Sequence, residues 1–352
     1  MQGAIVRSSQ PLVGMLGATS QCDSKLLEMV TMANVQSNEL HIVDARPYTN
    51  ATANRGHGGG FEQVSDLKRS TAAGVATWST TLAFANIENI HVMRASLAEV
   101  NRLYRSGQGE QPGGRWLNKL ENTGWIDHLS RVLGSADDVA ERVSVLHQSV
   151  LLHCSDGWDR TSQLSSLAML MLDPHYRTRH GFAILVEKEW LSFGHKFRDR
   201  LGGYIDAPNA KEKERSPVFF QFLDCVHQLL RQFPNDFEFT ELFLLHLHEH
   251  TTSGLFGTFM YNNERERVLD ASERRTASVW PSLLRKEEEA DHATGYTNSA
   301  YKMTGGGDEM EADGSGRRRL RPRTGPAHLV PWENAFSRWL TMRNPSATTT
   351  TV

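Results

Sequence analysis

Cysteine is scarce: Cys22, Cys154 and Cys225 are the three in 352 residues, far apart and with no CxxC pair. That spacing argues against a zinc site or a disulfide framework and for a reducing compartment. An excess of one charge is also missing, since 38 Lys and Arg against 41 Asp and Glu leave a net charge of -3. So balanced a chain makes no whole-molecule case for nucleic acid or membrane, and any anion site must be local. No apolar run approaches the roughly 20 residues a membrane-spanning helix needs. The stretch "PLVGMLGA" (11–18) is too short and glycine-broken for a signal peptide. No internal repeat is evident. The chain reads as cytosolic.

What is present suffices for a folded body. Hydrophobic residues make up 39% and charged residues 22%, enough for a core under a soluble surface in one large domain or two modest ones. Residues 22–36 carry apolar side chains at helical spacing, with Asp23 or Ser24 as cap. "LHIVDARP" (40–47) predicts a short buried strand stopped by Pro47. Residues 49–60 have loop chemistry, and the Ser/Thr/Ala-rich stretch 62–81 reads as a polar surface insertion. Helices or helix pairs are predicted over 89–105 and 114–133, and amphipathic stretches at 182–198, 217–232 and 239–249 make the second half mainly helical. Few core formers and many charges and glycines over 285–328 predict a disordered linker. A short amphipathic helix, 329–343, follows with Trp332, Phe336 and Trp339 on one face, then a tail, 344–352.

The decisive stretch is "SVLLHCSDGWDRTSQLSSLAMLML" (149–172), an apolar strand, a polar loop and an apolar helix. Cys154 and Arg160 stand in a Cys-x5-Arg spacing, which can wrap one phosphate. A thiolate nucleophile needs positive potential. Here it would come from the amides of Ser155 to Arg160 curled into a nest, from the N-terminus of the helix starting near Thr161, and from the Arg160 fork. Gly157 lets backbone approach the ligand. Leu164, Leu167, Ala168, Met171 and Leu172 form a buried helical face that anchors the dipole. The chemistry implied is attack of Cys154 on phosphorus, a phosphocysteine, then attack by water. Asp159 or Asp156 could protonate the leaving oxygen, and Thr161 could stabilise the departing thiolate. The bland alternative is a buried structural cysteine. His153 reads as a hydrogen-bonded support for the loop rather than a base.

At these residues the chain resembles the myotubularin family of phosphoinositide 3-phosphatases. "HCSDGWDRT" carries that family's signature. "RSSQPLVGM", "DARPYTNATANRGHGGGFE", "NIENIHVMRASL", "SLAMLMLDPHYRTRHGFAILVEKEWLSFGHKF", "RSPVFFQFLDCVHQLLRQFPNDFEF" and "GLFGTF" follow in family order, covering about residues 7–260. The resemblance implies an α/β, cysteine-based, tyrosine-phosphatase-like fold, a central sheet flanked by helices, over residues 1–284. It implies Cys154 as nucleophile, Arg160 as phosphate clamp and Asp159 as general acid. Ser155, Asp156, Gly157, Trp158, Asp159 and Arg160 would hold the 3-phosphate of phosphatidylinositol 3-phosphate or 3,5-bisphosphate. Asn54, Asn89 and Ile90 match positions that touch the inositol headgroup, although Asn54 alone would read as a turn residue and Asn89 alone as a helix cap. Lys196 and Arg200, four apart on one predicted helix face, match two basic positions near the phosphates. An i, i+4 basic pair is otherwise an ordinary solvated face.

Three departures stand out. Lys196 occupies a position where arginine is expected, a point charge in place of a fork. The polar stretch 62–81 is longer than expected. The chain also begins inside the family's catalytic domain, without counterparts of the GRAM domain and the front of the phosphatase domain, so it is expected to be an incomplete folding unit. The resemblance implies no metal and no cofactor, no nucleic acid, and a peripheral partner surface on endosomal-type membranes in the cytoplasm. It also implies homo- or heterodimers with other myotubularins. An inactive scaffold that pairs with an active relative is the competing class, and the intact Cys154, Asp159 and Arg160 argue against it. A protein-tyrosine phosphatase shares the chemistry, but two acidic loop residues and a basic pair fit a highly charged headgroup better. The cluster "RRRLRPR" (317–323) reads either as a membrane-facing basic patch or as a solvated linker.

Overall fold

A computed structural model describes residues 3–67, 69–70, 76–106, 114–202, 212–269, 276–285, 295–302 and 319–341. Five strands, β1 (Ile5–Ser8), β2 (Glu39–Asp44), β3 (Arg69–Ser70), β4 (Ala76–Phe84) and β5 (Ser149–His153), form one sheet in the order β1-β5-β2-β4-β3. The first four in that order run parallel, and β3 is an antiparallel edge. All five residues of β5 are buried, as an apolar strand with neighbours on both sides and cover on both faces must be.

Helices follow in the order α1 (Gln21–Met32), α2 (Tyr48–Ala53), α3 (Ile90–Ser106), α4 (Gly114–Asn122), α5 (Trp125–Ser144), α6 (Arg160–Leu172), α7 (Arg179–Val186), α8 (Phe197–Leu201), α9 (Val218–Gln232) and α10 (Glu241–Thr252). The alternation of β5 divides the core. Val150 and Leu152 join the main cluster with Leu129, Val132, Leu133 and Ala136 of α5 and Leu164, Leu167, Ala168 and Met171 of α6. Leu151 points the other way, into a smaller cluster of Leu27, Leu40, Ile42, Leu67 and Trp78. Because α6 lies against both α5 and α9, it is buried almost all round, which fixes the direction of its N-terminus.

Several boundaries differ from the expectations. The helix at 22–36 is shorter and capped by Ser20, whose Oγ accepts from Asp23 N at 3.1 Å. Residues 48–57, expected as loop, are short helical turns before three glycines. The stretch 114–133, open between one helix and a pair, is a pair broken at Gly124, whose φ of 70° suits glycine. The largest correction concerns 62–81. Its second half begins β4, with Trp78 and Thr80 6% and 2% exposed; threonine suits a pleated strand, so polarity alone misread a strand of the sheet.

The disordered linker over 285–328 is also corrected where it is described. Arg179 donates from Nη2 to Arg285 O at 2.7 Å, and Thr240 N to Tyr296 O at 3.0 Å. Leu320 is fully buried, with its amide on Met171 O at 2.9 Å. Arg319 pairs with Asp137 and with Glu141, the latter at 3.3 Å. Residues 286–294 and 303–318 lie outside the described residues. The terminal helix spans Glu333–Thr341, and Trp332 just before it stacks on His227 at 4.9 Å and Phe220 at 5.9 Å. The Trp339 side chain and the tail 344–352 fall outside the description. A few deep anchors hold the described parts of this stretch, and an average composition hides them.

Candidate active site

The parallel strands end on one row. Ser8 pairs with His153, His153 with Asp44, and Asp44 with Phe84. Four loops therefore leave from the same edge of the sheet, after β1, β2, β4 and β5, the edge where open parallel sheets bind ligands. The loop after β5 is Cys154–Asp159, and α6 begins at Arg160. Gly157 has φ +85°, and a Cβ there would lie 2.6 Å from Ser8 O. Only glycine fits this bend.

Cys154 is 2% exposed, and its Sγ accepts from the Gly157 amide at 3.2 Å. Burial alone would raise the thiol. The Arg160 charge, the Thr161 hydroxyl and the Gly157 amide outweigh burial and the Asp159 charge, holding it below its ordinary value. The buried Thr161 hydroxyl has no other partner among the described residues. Arg160 donates from Nη1 to Ile87 O at 3.2 Å, which ties it to the loop after β4. His153, fully buried, holds Glu62 through Nε2 at 3.0 Å and sits 3.3 Å from Cys154 O through Nδ1. Burial disfavours its charge, but Glu62 and Asp44 raise its pKa. It supports the loop.

Asp159 is the most constrained group. Arg200 donates to it twice, Nε to Oδ1 at 3.2 Å and Nη2 to Oδ2 at 2.7 Å. His195 Nδ1 lies 3.0 Å from Asp159 Oδ1 and 2.9 Å from Trp158 O, so with two acceptors facing it that nitrogen carries the hydrogen. Burial would raise the carboxyl, yet His195 and Arg200 hold it well below the usual carboxylate range. Asp156 stands at the exposed tip of the loop. Partial desolvation and the Asp159 charge push it up, against Lys196, Arg200 and Arg160. Of the two loop carboxyls, the one displaced toward its acid form is Asp156.

The remaining predicted residues converge on the same mouth with different freedom. Asn54 donates from Nδ2 to Ser155 Oγ at 3.3 Å, beside the loop. Asn89 caps α3, its Oδ1 accepting from His91 N at 2.9 Å and Val92 N at 3.2 Å, and Ile90 opens that helix. Lys196 and Arg200 do not share a helix face, because Lys196 precedes α8 with non-helical torsions. Lys196 Nζ lies 4.4 Å over the Trp158 ring, a cation–π contact. Arg200 is buried and divided between Asp159 and Glu214, the latter at 3.1 Å. Trp158 Nε1 is buried with no hydrogen-bond partner among the described residues.

Sequence reasoning missed the braces. Arg7 donates from Nη2 to Gly157 O at 2.9 Å and Ser162 Oγ at 2.8 Å, and from Nη1 to Glu189 Oε2 at 2.6 Å. Arg46 pairs with Asp44, both side chains fully buried, and reaches Gly60 O at 2.6 Å and Gln10 Oε1 at 2.5 Å. Gln10 N donates in turn to Ser155 O at 3.2 Å. His195, next to Lys196, braces Asp159 in the same way. Each lies in a segment carrying the family resemblance, but no local pattern marks it. No cluster of three or more His, Cys, Asp or Glu side chains able to hold a metal occurs among the described residues. The arrangement can hold a tetrahedral oxyanion against a sulfur nucleophile with two carboxyls at hand.

Residues 1–268 match the family profile described as a myotubularin-like phosphatase domain. Myotubularin of Xenopus laevis is 43% identical over 338 residues, 96% of this chain and 51% of that protein. Myotubularin of Rattus norvegicus is 41% identical over the same share of each. The phosphatidylinositol-3,5-bisphosphate 3-phosphatase MTMR2 of Bos taurus is 42% identical over 96% of this chain and 48% of that protein. The chain spans about half the length of these curated relatives.

Proposed function

The chain belongs to the myotubularin-like phosphatase family, and from that membership we propose that it removes the 3-phosphate of phosphatidylinositol 3-phosphate and phosphatidylinositol 3,5-bisphosphate. The observation that carries this reading is the Cys154 sulfur, 3.2 Å from the Gly157 amide and at the N-terminus of α6 beside Arg160. The bovine relative's name specifies a 3-phosphatase of the bisphosphorylated lipid.

In the first step the Cys154 thiolate attacks phosphorus. The S–P bond forms as the P–O bond to the inositol breaks, and Arg160 and the loop amides hold the non-bridging oxygens. The leaving oxygen takes a proton from a loop carboxyl, for which we assign Asp159. Its oxygens are engaged by Arg200 and His195, so it gains a proton only when Arg200 turns toward another anion, and the substrate's phosphates supply one. Water then attacks phosphorus with Asp159 as base, the S–P bond breaks, and inorganic phosphate leaves. Thr161 and the Gly157 amide receive the thiolate. Lys196 is the cation of the pair that lies outside the Arg200–Asp159 contact, and it takes the 5-phosphate as a point charge rather than a fork. The reading extends to peripheral work on endosomal-type membranes facing the cytoplasm and to pairing with other family members.

Phosphate release from short-chain phosphatidylinositol 3-phosphate, with EDTA present, tests the chemistry. Cys154→Ser should abolish turnover while the amides and Arg160 still bind the headgroup, and Arg160→Ala should lose turnover and weaken binding. Turnover surviving Cys154→Ser would end the covalent mechanism.

A further inference from the structure

The stretch "PLVGMLGA" (11–18), too short for a signal peptide, lies in the loop after β1. Leu12, Met15 and Leu16 are 81%, 77% and 98% exposed there, while Val13 between them is buried and anchors the base. Leaving three large apolar side chains in water on one turn is unfavourable, and a contiguous patch of this kind marks an interaction surface. The turn is well built. Gly14 and Gly17 have φ of 64° and 69°, Ala18 N donates to Val13 O at 2.7 Å, and Gly14 N donates to Gly59 O at 2.9 Å.

Its position gives the patch a direction. The loop leaves the same strand-end row as the catalytic loop, and its Gln10 amide donates to Ser155 O at 3.2 Å. The neighbouring loop after β2, to which Gly14 is tied, carries Arg55 and the exposed His57, with Arg55 lying 4.3 Å over the Phe61 ring. Apolar tips with basic groups beside them suit an anionic lipid surface, where hydrocarbon takes the former and headgroups the latter. A bilayer that presents the headgroup to the mouth meets the tip in the same approach.

We propose that Leu12, Met15 and Leu16 insert into the bilayer and seat the mouth on the lipid surface, with Arg55 and His57 at headgroup level. This rests on the reading that the substrate is a membrane lipid. The protein is compared with a Leu12→Ser/Met15→Ser/Leu16→Ser variant on phosphatidylcholine–phosphatidylserine vesicles carrying phosphatidylinositol 3-phosphate, and on the short-chain soluble lipid. Vesicle binding should fall about tenfold or more, since burying even one such side chain is worth that much. Soluble turnover should be unchanged, because none of the three touches the catalytic loop's ring of donors. As an independent readout, Met15→Trp should show blue-shifted emission on vesicles and quenching by brominated acyl chains. Undiminished vesicle binding by the triple variant, or an unquenched tryptophan, overturns the proposal. So does loss of self-association with vesicle binding intact, which would make the tip a contact between copies. A protein that inserts but never turns over the soluble lipid would sink the phosphatase reading and leave the loop standing.

Discussion

At the scale of single residues, the site holds two carboxyls, three positions apart, that their surroundings push in opposite directions. If Asp159 is the acid, Asp159→Asn should slow hydrolysis of the lipid by about 10²–10⁴-fold. The loss should shrink with an aryl phosphate, whose leaving group needs no proton. Asp156→Asn should cost less on both substrates; the reverse pattern would move the acid to the carboxyl that is already pushed up. Cys154 makes a second case. With its thiol held below the ordinary value chiefly against burial by Arg160 and Thr161, alkylation by iodoacetamide should be half-maximal at a pH below that of a free cysteine. Arg160→Ala removes the opposite charge, so the midpoint should rise. An unmoved midpoint would show that Thr161 and the Gly157 amide carry the effect without Arg160. Cys154 and Arg160 were legible in the sequence because the nest is built from consecutive residues. Arg7 and His195 were not: the first holds Gly157 from 150 positions away, and the second is placed only by the turn that brings α8 back to Asp159.

At the scale of elements, helices with a strong apolar period were readable and the polar strand was not. The threonines of β4 resemble a surface stretch until pairing with β2 buries Thr80. The helix α9 carries the clearest pH signature outside the site. Its Asp224 is fully buried, accepts from Trp125 Nε1 at 2.8 Å and Gln228 Nε2 at 2.9 Å, and is pushed up to about 7 by burial, against these hydrogen bonds. A carboxyl whose folded pKa exceeds its unfolded value favours folding in its protonated form. Its contribution is therefore fully present below about pH 4 and lost as pH rises toward 7. Asp224→Asn should flatten that part of the stability profile in chemical denaturation, raising neutral-pH stability relative to acid. A variant profile parallel to that of the parent would assign the slope to other groups.

At the scale of the whole molecule, the described residues of the segment read as linker and separate helix belong to the body. Leu320, Trp332 and Phe336 belong to the same core cluster as α5 and α9, and Trp332 Nε1 donates to Glu241 Oε1 at 2.7 Å. Ending the chain before Arg319 uncovers Phe220 and Trp125, which pack against Phe336. Replacing such aromatic cover typically costs about 3–5 kcal/mol per side chain. The shortened chain should unfold at markedly lower denaturant and bind a hydrophobic dye; an unchanged midpoint would show the tail to be dispensable cover. The row on which β1, β5, β2 and β4 end also bears on how a protein of this kind can diverge. Each loop hangs from its own strand, so an exchange in one is absorbed at its two ends and leaves its neighbours' register intact. Ser9 to Ser20 can change in sequence without displacing Cys154 to Arg160, provided Gln10, which reaches Ser155, and Gly14, which is tied to Gly59, are retained. If the tip seats the mouth as proposed, heritable change in where the molecule works is uncoupled from change in what it does.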